Sequence, residues 1–321
     1  MTRIGFFEIK SWEKAYLKSK LKNHSLHFFS DQCNARQAKD LDIVSVFIYS
    51  KVNEESLANS KVKMIATRST GFDHININYC RKKKILVTNV PTYGENTVAE
   101  HTFALILSLS RNIHKSYVRT LKGDFGGITG FDLKEKTIGI VGGGRIGMHV
   151  ARTARALGMH VRVFDVKRDT FLSEVVNFKY VEMDELLKTS DIITLHVPYN
   201  KYTHHLINDK SIAKMKKGAI LINTSRGGVI DTNALLRALK KKKIAGAGLD
   251  VIEGEEVMHD EQRNQAEWKK LAAHEIFKMD NIVYTPHNAF NSKEALIRIL
   301  DTTIENITSF LEKNPKNIVN K

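Results

Sequence analysis

Short apolar segments alternate with polar, helix-like segments along most of the chain. Before residue 90 the apolar segments predict strands at residues 4–7, 25–29, 43–49, 63–67 and 85–88. After residue 137 they predict further strands at residues 138–141, 161–164, 192–197, 219–223, 247–249 and 281–285. Strands that alternate with helices in this way are typical of α/β folds with parallel sheets.

The polar segments predict helices, and one helix marks a domain boundary. A turn-rich break at residues 89–96 precedes a long apolar helix at 97–121, and a glycine-rich stretch at 123–130 follows it. Further helices are predicted at residues 11–20, 146–157, 231–241 and 293–311, and near Glu54 and Ile75. Because 321 residues suggest about two domains, we place the first boundary near Thr97.

A glycine-rich turn joins the strand at 138–141 to the helix at 146–157. Gly142 allows a tight turn, Gly144 lets the backbone approach a pyrophosphate, and Gly147 lets the helix pack closely on the sheet. The N-terminus of that helix offers free N–H groups to phosphates. Strand, turn and helix in this order predict a dinucleotide-binding site.

An acidic residue selects among dinucleotides. Asp165 ends the strand at 161–164 and lies about twenty residues beyond the glycines, where a carboxylate can bind a ribose 2′-hydroxyl. This favours NAD. Lys167 and Arg168 keep NADP open, because a cation at that place can bind a 2′-phosphate.

The charge balance raises the question of a nucleic-acid partner. The formal net charge is +15 and the pI is about 9.6. Lysines are nevertheless scattered, and their densest run, residues 240–243, falls at a predicted helix end, where cations favour the helix dipole. No basic motif is interleaved with aromatic residues. We therefore expect no nucleic-acid partner.

Composition also indicates the compartment. The N-terminal residues lack the apolar run of a signal peptide, and no segment has the apolar length that spans a bilayer. Cys33 and Cys80 are too few for a disulfide scaffold and indicate free thiols in a reducing environment. We expect a cytoplasmic protein without a membrane partner.

Polar residues stand where predicted strands end, which is where open α/β sheets bind ligands. These residues are His196, Arg226, Asp250 and His287. Arg226 has the planar fork that holds a carboxylate with two hydrogen bonds, or is a surface residue that caps a loop. His287 follows Thr285-Pro286 and is suited to donate a proton to a carbonyl oxygen, or is a structural histidine.

Other candidates are less specific. The turn at residues 70–73 follows a strand end, where free N–H groups either bind an anion or cap the next helix. Glu255 belongs to the acidic run 253–256, and spacing does not separate it from its neighbours. The histidines show no metal-ligand spacing, so no metal is expected. Ser225 lacks the context of a nucleophile elbow, which argues against a hydrolase.

Eight short motifs occur along the chain. They are STGFDHI at 69–75, NVPTY at 89–93, VAEH at 98–101, GGGRIG at 142–147, HLIN at 205–208, SRGG at 225–228, DVIEGE at 250–255 and TPH at 285–287. With these motifs in this order, the chain resembles the D-specific 2-hydroxyacid dehydrogenases, most of all the D-lactate dehydrogenases. The resemblance covers nearly the whole chain and is strongest from Ser69 to Phe290.

The resemblance implies roles for individual residues. It implies a catalytic trio in which Arg226 holds the substrate carboxylate, His287 is the acid/base and Glu255 pairs with His287. This selects Glu255 from the acidic run. For the substrate it implies backbone contacts at Thr70 and Gly71 and aromatic pocket residues, which are Tyr93 and Phe290.

The resemblance also implies an architecture. We expect two Rossmann/flavodoxin-like domains with parallel sheets and an active-site cleft between them. Residues 1–97 and 290–321 would form a discontinuous substrate-binding domain, and residues 98–289 the dinucleotide-binding domain. A homodimer would form through the helix that begins near Thr97.

The residues expected to contact the cofactor NAD come from several loops. They are Thr97, Gly142, Gly144, Arg145, Ile146, Gly147, Asp165, His196, Val197, Pro198, Thr224, Ser225 and Asp250. The expected reaction interconverts a small 2-oxo acid and its D-2-hydroxy acid, with pyruvate and D-lactate first. The alternatives are 2-hydroxyisocaproate, phenyllactate or 3-phosphoglycerate as substrate, or a corepressor-like protein that senses NADH without turnover.

Overall fold

A computed structural model of the chain describes residues 1–255 and 271–321. Glu256, the last residue of the predicted acidic run, lies outside the described residues. The chain divides into two compact units: unit 1 comprises Met1–Tyr93 and Ser292–Lys321, and unit 2 comprises Gly94–Asn291. Each unit is a parallel β-sheet with helices, so the predicted two-domain α/β class is confirmed.

Unit 1 has a sheet of five parallel strands in the order β2-β1-β3-β4-β5, the flavodoxin-like order. Its elements are β1 (Arg3–Phe6), α1 (Ser11–Lys20), β2 (Ser25–Phe28), α2 (Ala35–Ala38), β3 (Ile43–Val46), β4 (Met64–Thr67), α3 (Ile77–Lys82), β5 (Leu86–Thr88) and the last helix, α12 (Lys293–Leu311).

Both faces of this sheet are buried. Ile43 packs with Leu300 and Ile307 of α12 in one hydrophobic cluster, while its neighbour Val44 packs with Ile65 in another. Successive side chains of a strand point to opposite faces. The strands β3 and β4 are buried at every position, as expected of central parallel strands.

The segment near Glu54 is a turn and not the predicted helix. The side-chain oxygen of Asn53 accepts hydrogen bonds from the N–H groups of Glu55 and Ser56, at 3.1 and 2.9 Å. Such side-chain bonds compete with helix formation. The helix predicted near Ile75 is α3, which begins at Ile77.

Unit 2 has a sheet of seven parallel strands in the order β12-β11-β10-β9-β6-β7-β8. Its elements are α4 (Glu95–Ser110), α5 (Ile113–Leu121), β6 (Thr137–Val141), α6 (Arg145–Ala156), β7 (His160–Phe164), α7 (Thr170–Val176), β8 (Lys179–Tyr180), α8 (Met183–Thr189), β9 (Ile192–Leu195), α9 (Asp209–Lys214), β10 (Ala219–Asn223), a 3₁₀ turn (Gly227–Val229), α10 (Thr232–Lys240), β11 (Ile244–Leu249), α11 (Ala272–Ile276) and β12 (Ile282–Tyr284).

The strand order of unit 2 is that of the doubly wound dinucleotide-binding fold, with one added strand. The chain enters at β6, runs outward to β7 and β8, and then returns to β9 on the other side of β6. The order therefore reverses between β6 and β9. In such sheets the ligand binds at the carboxyl ends of the strands where this reversal occurs.

The long helix predicted at residues 97–121 is two helices, α4 and α5. Asn112 adopts a left-handed conformation with φ of +53° and ends the helical path between them. The segment at Phe131 lies against the end of α4, where its N–H donates to the carbonyl of Ser110 at 2.9 Å. None of the helices described in this chain combines the length and apolarity that crossing a bilayer requires.

The bounds of the units differ by a few residues from the domains expected from the sequence. Thr97 lies within α4 and therefore in unit 2, together with Glu95. Phe290 also belongs to unit 2, where its ring lies near that of His287.

Candidate active site

The turn after β6 has the geometry that its glycines predict. Gly142 has a φ of +101°, and a Cβ at this residue would lie 2.4 Å from the carbonyl oxygen of His196. A Cβ at Gly147 would lie 2.0 Å from the carbonyl oxygen of Gly142. Side chains at either position would therefore separate β6 from β9 or lift α6 from the turn.

The N-terminus of α6 forms a cradle for an anion. The first N–H groups of a helix have no intrahelical acceptor, and the N-cap Gly144 has no side chain to satisfy them. No atom lies within 4 Å of the place where a Cβ of Gly144 would stand. A pocket of about 350 Å³ opens here, lined by Glu95, Gly143, Gly144, Arg145, Met148, His149 and Leu172. These features fit a dinucleotide pyrophosphate.

Asp165 is oriented by the backbone at the end of β7. Its carboxylate accepts hydrogen bonds from the N–H groups of Gly143, at 2.6 Å, and Lys167, at 2.8 Å. Arg168 is directed to Glu182, with a nitrogen–oxygen distance of 2.5 Å. A fixed carboxylate binds ribose hydroxyls and repels a 2′-phosphate, so the arrangement favours NAD.

His196 follows β9 and lies half-buried beside the glycine turn. Its Nε2 lies 2.9 Å from the hydroxyl of Thr194, and its Nδ1 has no hydrogen-bond partner among the described residues. Burial lowers the pKa of His196 to about 3, so the ring is neutral. Val197 and Pro198 continue from it, and Val197 also lies near Gly142.

Asn223, the last residue of β10, organises the loop that carries Arg226. Its side-chain oxygen accepts hydrogen bonds from the N–H and hydroxyl of Ser225, at 3.0 and 2.8 Å, and its amide donates to the carbonyl of Arg226 at 3.0 Å. Thr224 lies between them and is 3.1 Å from the hydroxyl of Thr102 in α4. The buried Asn223 side chain thereby fixes the backbone of this loop at Ser225 and at Arg226.

Arg226 stands at the start of the 3₁₀ turn and donates from Nη1 to the carbonyl of Ser225 at 2.9 Å. The next residue, Gly227, lies against the loop that follows β11, because its Cβ would come within 2.3 Å of the Ile252 carbonyl. The loops after β10 and β11 therefore pack together at one edge of the sheet.

Asp250 follows β11 and connects three segments of unit 2. Its carboxylate accepts from the N–H groups of Asn288 and Ala289, at 2.8 and 2.9 Å, and from the hydroxyl of Thr285 at 2.5 Å. His101 of α4 lies 3.4 Å away. Burial by itself raises the pKa of Asp250, but these hydrogen bonds outweigh it and hold the pKa below its ordinary value.

His287 and Glu255 form a pair in which both side chains are largely buried. The Nδ1 atom of His287 lies 3.0 Å from a carboxylate oxygen of Glu255, and each side chain is 15% exposed. The other carboxylate oxygen accepts from the N–H of Ile252 at 3.2 Å. His287 has a φ of +50° and donates its N–H to the carbonyl of Asp250 at 2.8 Å.

The structure brings Arg226, Asp250, Glu255 and His287 to loops that follow the adjacent strands β10, β11 and β12. The ring of Phe290 lies edge-on to His287, with 6.3 Å between the ring centroids. Because all three strands are parallel, their carboxyl ends meet at one edge. An acid/base pair and a guanidinium at one edge can together orient and protonate a small anionic carbonyl compound.

Thr70, Gly71 and Tyr93 belong to unit 1. The carbonyls of residues 69–71 are all used: Ser69 accepts from Val90 N–H, Thr70 from the Asn89 amide, and Gly71 from the Ser69 hydroxyl. Within the described residues, the N–H groups of residues 69–71 donate no hydrogen bond. The turn after β4 therefore presents donors to an anion.

Sequence reasoning did not identify three residues that shape these loops. They are Asn223, His101 and Asn89. Asn223 and Asn89 carried a signal, since each is an amide at the carboxyl end of a predicted strand. His101 had none, because its partners Asp250 and Thr285 lie far along the chain.

Replacing Asp250 with Asn should lower the free energy of unfolding at pH 7 by about 1–3 kcal/mol, because the amide cannot accept from all of these donors. A lowered pKa stabilises the fold above the ordinary aspartate pKa, and this contribution is lost as the pH falls through the lowered value. The difference between variant and wild type should therefore shrink from pH 5 to pH 3. Urea titrations at several pH values test this, and a difference that does not change with pH contradicts it.

The chain is similar to known proteins in sequence and in fold. Residues 103–289 match the model of the D-isomer specific 2-hydroxyacid dehydrogenase NAD-binding domain. The D-lactate dehydrogenase of Aquifex aeolicus, solved in complex with NAD and lactic acid, is 38% identical with a TM-score of 0.90 and 99% coverage of both chains. The D-lactate dehydrogenase of Escherichia coli is 32% identical over 97% of each chain. The glyoxylate reductase of Thermococcus litoralis is 39% identical over 89% of this chain and 85% of its own.

The matched region contains the glycine turn, Asp165 and the loops after β9, β10 and β11. The cradle at α6 fits the pyrophosphate of the cofactor, which is NAD. The family model matches residues 103–289, and the relatives and their fold match nearly the full length. The chain therefore belongs to the family of D-isomer specific 2-hydroxyacid dehydrogenases.

Proposed function

We propose that the protein is an NAD-dependent dehydrogenase that interconverts pyruvate and D-lactate. The observation that carries the proposal is the His287–Glu255 pair, with 3.0 Å between Nδ1 and the carboxylate, on loops adjacent to the one that carries Arg226. This set suits the reduction of a carbonyl group beside a carboxylate. Bound NADH supplies the hydride.

His287 is proposed as the acid that protonates the carbonyl oxygen. An ionised carboxylate only accepts hydrogen bonds, so Glu255 keeps the proton on Nδ1 and leaves Nε2 for the substrate. Reduction consumes the proton that the ring donates from Nε2 to the carbonyl oxygen. In the oxidation of the hydroxy acid, the neutral Nε2 accepts the hydroxyl proton.

Arg226 is proposed to bind the substrate carboxylate and to orient the carbonyl. Asn223 holds the backbone on both sides of Ser225, so the base of the arginine side chain is fixed. A guanidinium forms two parallel hydrogen bonds with a carboxylate. Such binding sets the plane of the 2-oxo acid and thereby the direction in which its carbonyl points.

In unit 1, the N–H groups of Thr70 and Gly71 are proposed as further donors to the substrate. The carbonyls of this turn are turned to Val90, Asn89 and Ser69, which leaves the amides directed elsewhere. Successive free amides bind carboxylates well. Tyr93 and Phe290 are proposed as the apolar residues that limit the size of the substrate side chain.

Pyruvate is favoured over larger acids because the proposed pocket residues are aromatic and no second phosphate-binding cluster is identified among the described residues. The Aquifex relative was solved with lactic acid, which supports this preference. The Thermococcus relative is a glyoxylate reductase, which makes glyoxylate the principal rival. The two acids differ by one methyl group, so the preference is a matter of pocket volume.

The proposed activity is tested by NADH oxidation with pyruvate, glyoxylate, 2-oxoisocaproate, phenylpyruvate and 3-phosphohydroxypyruvate, with NADPH as the control cofactor. We expect the highest kcat/KM with pyruvate, D-lactate as the product, and little activity with NADPH. A higher kcat/KM with another acid would reassign the substrate and retain the mechanism. NADH binding without turnover of any acid would reject the enzyme and favour an NADH sensor.

Replacing Arg226 with Ala should lower kcat/KM for the 2-oxo acid by about 100-fold to 10,000-fold. The range corresponds to two hydrogen bonds to a charged group, each about 1.5–3 kcal/mol. The Kd for NADH, measured by fluorescence, should stay within about twofold. Arg226→Lys is the matched variant, because it keeps the charge but loses the two-pronged geometry, and it should also be impaired. Wild-type turnover in either variant would disprove the role.

We also propose a homodimer that uses the exposed apolar face of α5. Ile113, Tyr117 and Leu121 are four residues apart on this helix and are 55%, 65% and 69% exposed, and Phe125 beyond it is 82% exposed. Apolar patches of this kind on a folded protein mark interaction surfaces. A second copy of the chain is the proposed partner.

The double variant Tyr117→Glu with Leu121→Glu should be monomeric in sedimentation at micromolar concentration, because charges in an apolar interface lose their hydration. Val175→Glu on α7, where Val175 is 65% exposed, is the matched control and should stay dimeric. A wild-type protein that sediments as a monomer at this concentration would refute the proposal.

The cytoplasm is the proposed location. Cys33 and Cys80 are free thiols, and both are buried. Burial raises the pKa of Cys33 to about 12 and that of Cys80 to about 11. Thiols of this kind stay protonated and suit a reducing compartment.

A further inference from the structure

A line of three asparagines leads to the turn that carries Thr70 and Gly71. Asn89 donates its side-chain amide to the carbonyl of Thr70 at 2.8 Å. Asn306 of α12 donates its amide to the backbone carbonyl of Asn89 at 2.8 Å. Asn317 donates its amide to the side-chain oxygen of Asn306, also at 2.8 Å. All belong to unit 1.

Asn306 is an unusual residue for its position. It lies within a helix, where asparagine has a poor propensity, and its side chain is 0% exposed. Its neighbours on the buried face include Ile299, Leu300 and Ile307. An apolar residue would satisfy packing alone at this place, whereas a buried amide is tolerated only when its polar atoms have partners. Both atoms have partners here.

The second asparagine, Asn89, is held on three sides. Its carbonyl accepts from Asn306, its N–H donates to the carbonyl of Asn317 at 3.2 Å, and its side chain donates to Thr70. The next residue, Val90, donates its N–H to Ser69 at 3.0 Å and accepts from the hydroxyl of Thr70 at 2.8 Å. The segment 89–90 thus fixes the turn through three hydrogen bonds.

These bonds decide where the amides of the turn point. A peptide group is planar, so fixing a carbonyl also fixes the N–H on the same plane. The carbonyls of Ser69 and Thr70 are bound by Val90 and Asn89, which sets the planes that carry the N–H groups of Thr70 and Gly71. Asn306 acts on these amides only through Asn89.

We propose that Asn306 is a positioning residue for substrate binding, which orients the Thr70 and Gly71 amides through Asn89. The proposal rests on the proposed function, since it takes these amides as donors to the substrate carboxylate. It assigns to the last helix a role in the affinity for the 2-oxo acid. NAD binds to unit 2, so the affinity for NADH should not depend on Asn306.

The test compares Asn306→Leu with Thr303→Val. Thr303 lies on the same helix and is also 0% exposed, but among the described residues its hydroxyl bonds only to the carbonyl of Ile299 in the same helix. Asn306→Leu should raise the KM for the 2-oxo acid about tenfold, the effect of one hydrogen bond, with kcat changed less than KM. Thr303→Val should keep the wild-type KM. The Kd for NADH should be unchanged in both.

Two further variants establish the route. Asn306 holds the backbone carbonyl of Asn89, which Asn89→Ala retains, while the Asn89 side chain carries part of the effect to Thr70. The double variant of Asn89→Ala with Asn306→Leu should therefore raise KM by less than the product of the two single effects. Asn317→Gly tests the same line of hydrogen-bonded asparagines if Asn306→Leu does not fold. Glycine tolerates the φ of +52° at this position, and the variant should raise KM about threefold. Equal KM values in wild type, Asn306→Leu and Asn317→Gly would overturn the proposal.

The binding of oxamate, an unreactive isostere of pyruvate, separates this proposal from the proposed function. Calorimetry with the NADH complex should give about tenfold weaker oxamate binding in Asn306→Leu than in wild type. An active wild type with equal oxamate affinities in both proteins would overturn the role of Asn306 alone. A wild type that binds oxamate but reduces no 2-oxo acid would overturn the proposed function alone.

Discussion

Parallel pairing of the strands is the constraint on which the functional loops of this protein depend. Every pairing between the named strands of both sheets is parallel. Parallel strands place all their carboxyl ends at one edge, and each return connection crosses a face of the sheet. The glycine turn, His196, Arg226, Asp250 and the His287 loop therefore share one edge of unit 2, although they are spread along the chain.

Buried polar side chains then determine the shape of these loops. The Asp250 carboxylate accepts hydrogen bonds from the N–H groups of Asn288 and Ala289. The backbone carbonyl of Asp250 accepts a further one from the N–H of His287. Asn223 likewise accepts from Ser225 after β10, whereas Asn89, which follows β5 in unit 1, donates its amide to the carbonyl of Thr70. Removal of such a side chain leaves buried donors or acceptors without partners, which costs more than the bond contributes.

The two units use backbone amides in related ways. In unit 2 the amides at the start of α6 lie open because Gly144 offers no capping side chain. In unit 1 the N–H groups of residues 69–71 donate no hydrogen bond within the described residues, while their carbonyls are all bound. Free N–H groups carry partial positive charge without a titrating side chain. Both features suit a family whose cofactor and substrates are anions.

The sequence by itself determined the elements whose causes are local. Apolar segments predicted the named strands except the two-residue β8, and the glycines predicted the turn after β6. Asp165 was placed by its distance from those glycines. Two helix predictions were wrong for local reasons. Hydrogen bonds to the Asn53 side chain form a turn near Glu54, and the left-handed conformation of Asn112 divides the helix predicted at 97–121. Glu255 was selected only by the resemblance, since its neighbours have the same charge and spacing.

Only the tertiary structure decided the contacts between distant residues. His101 lies beside Asp250 because α4 packs on the sheet, and Asn306 reaches Asn89 across 217 residues of sequence. A pattern along the chain reports burial and periodicity, but not which buried donor meets which acceptor. The pairing of Asn306 with Asn89 depends on where α12 lies on the sheet of unit 1. The position of α12 is set by packing and not by any local motif.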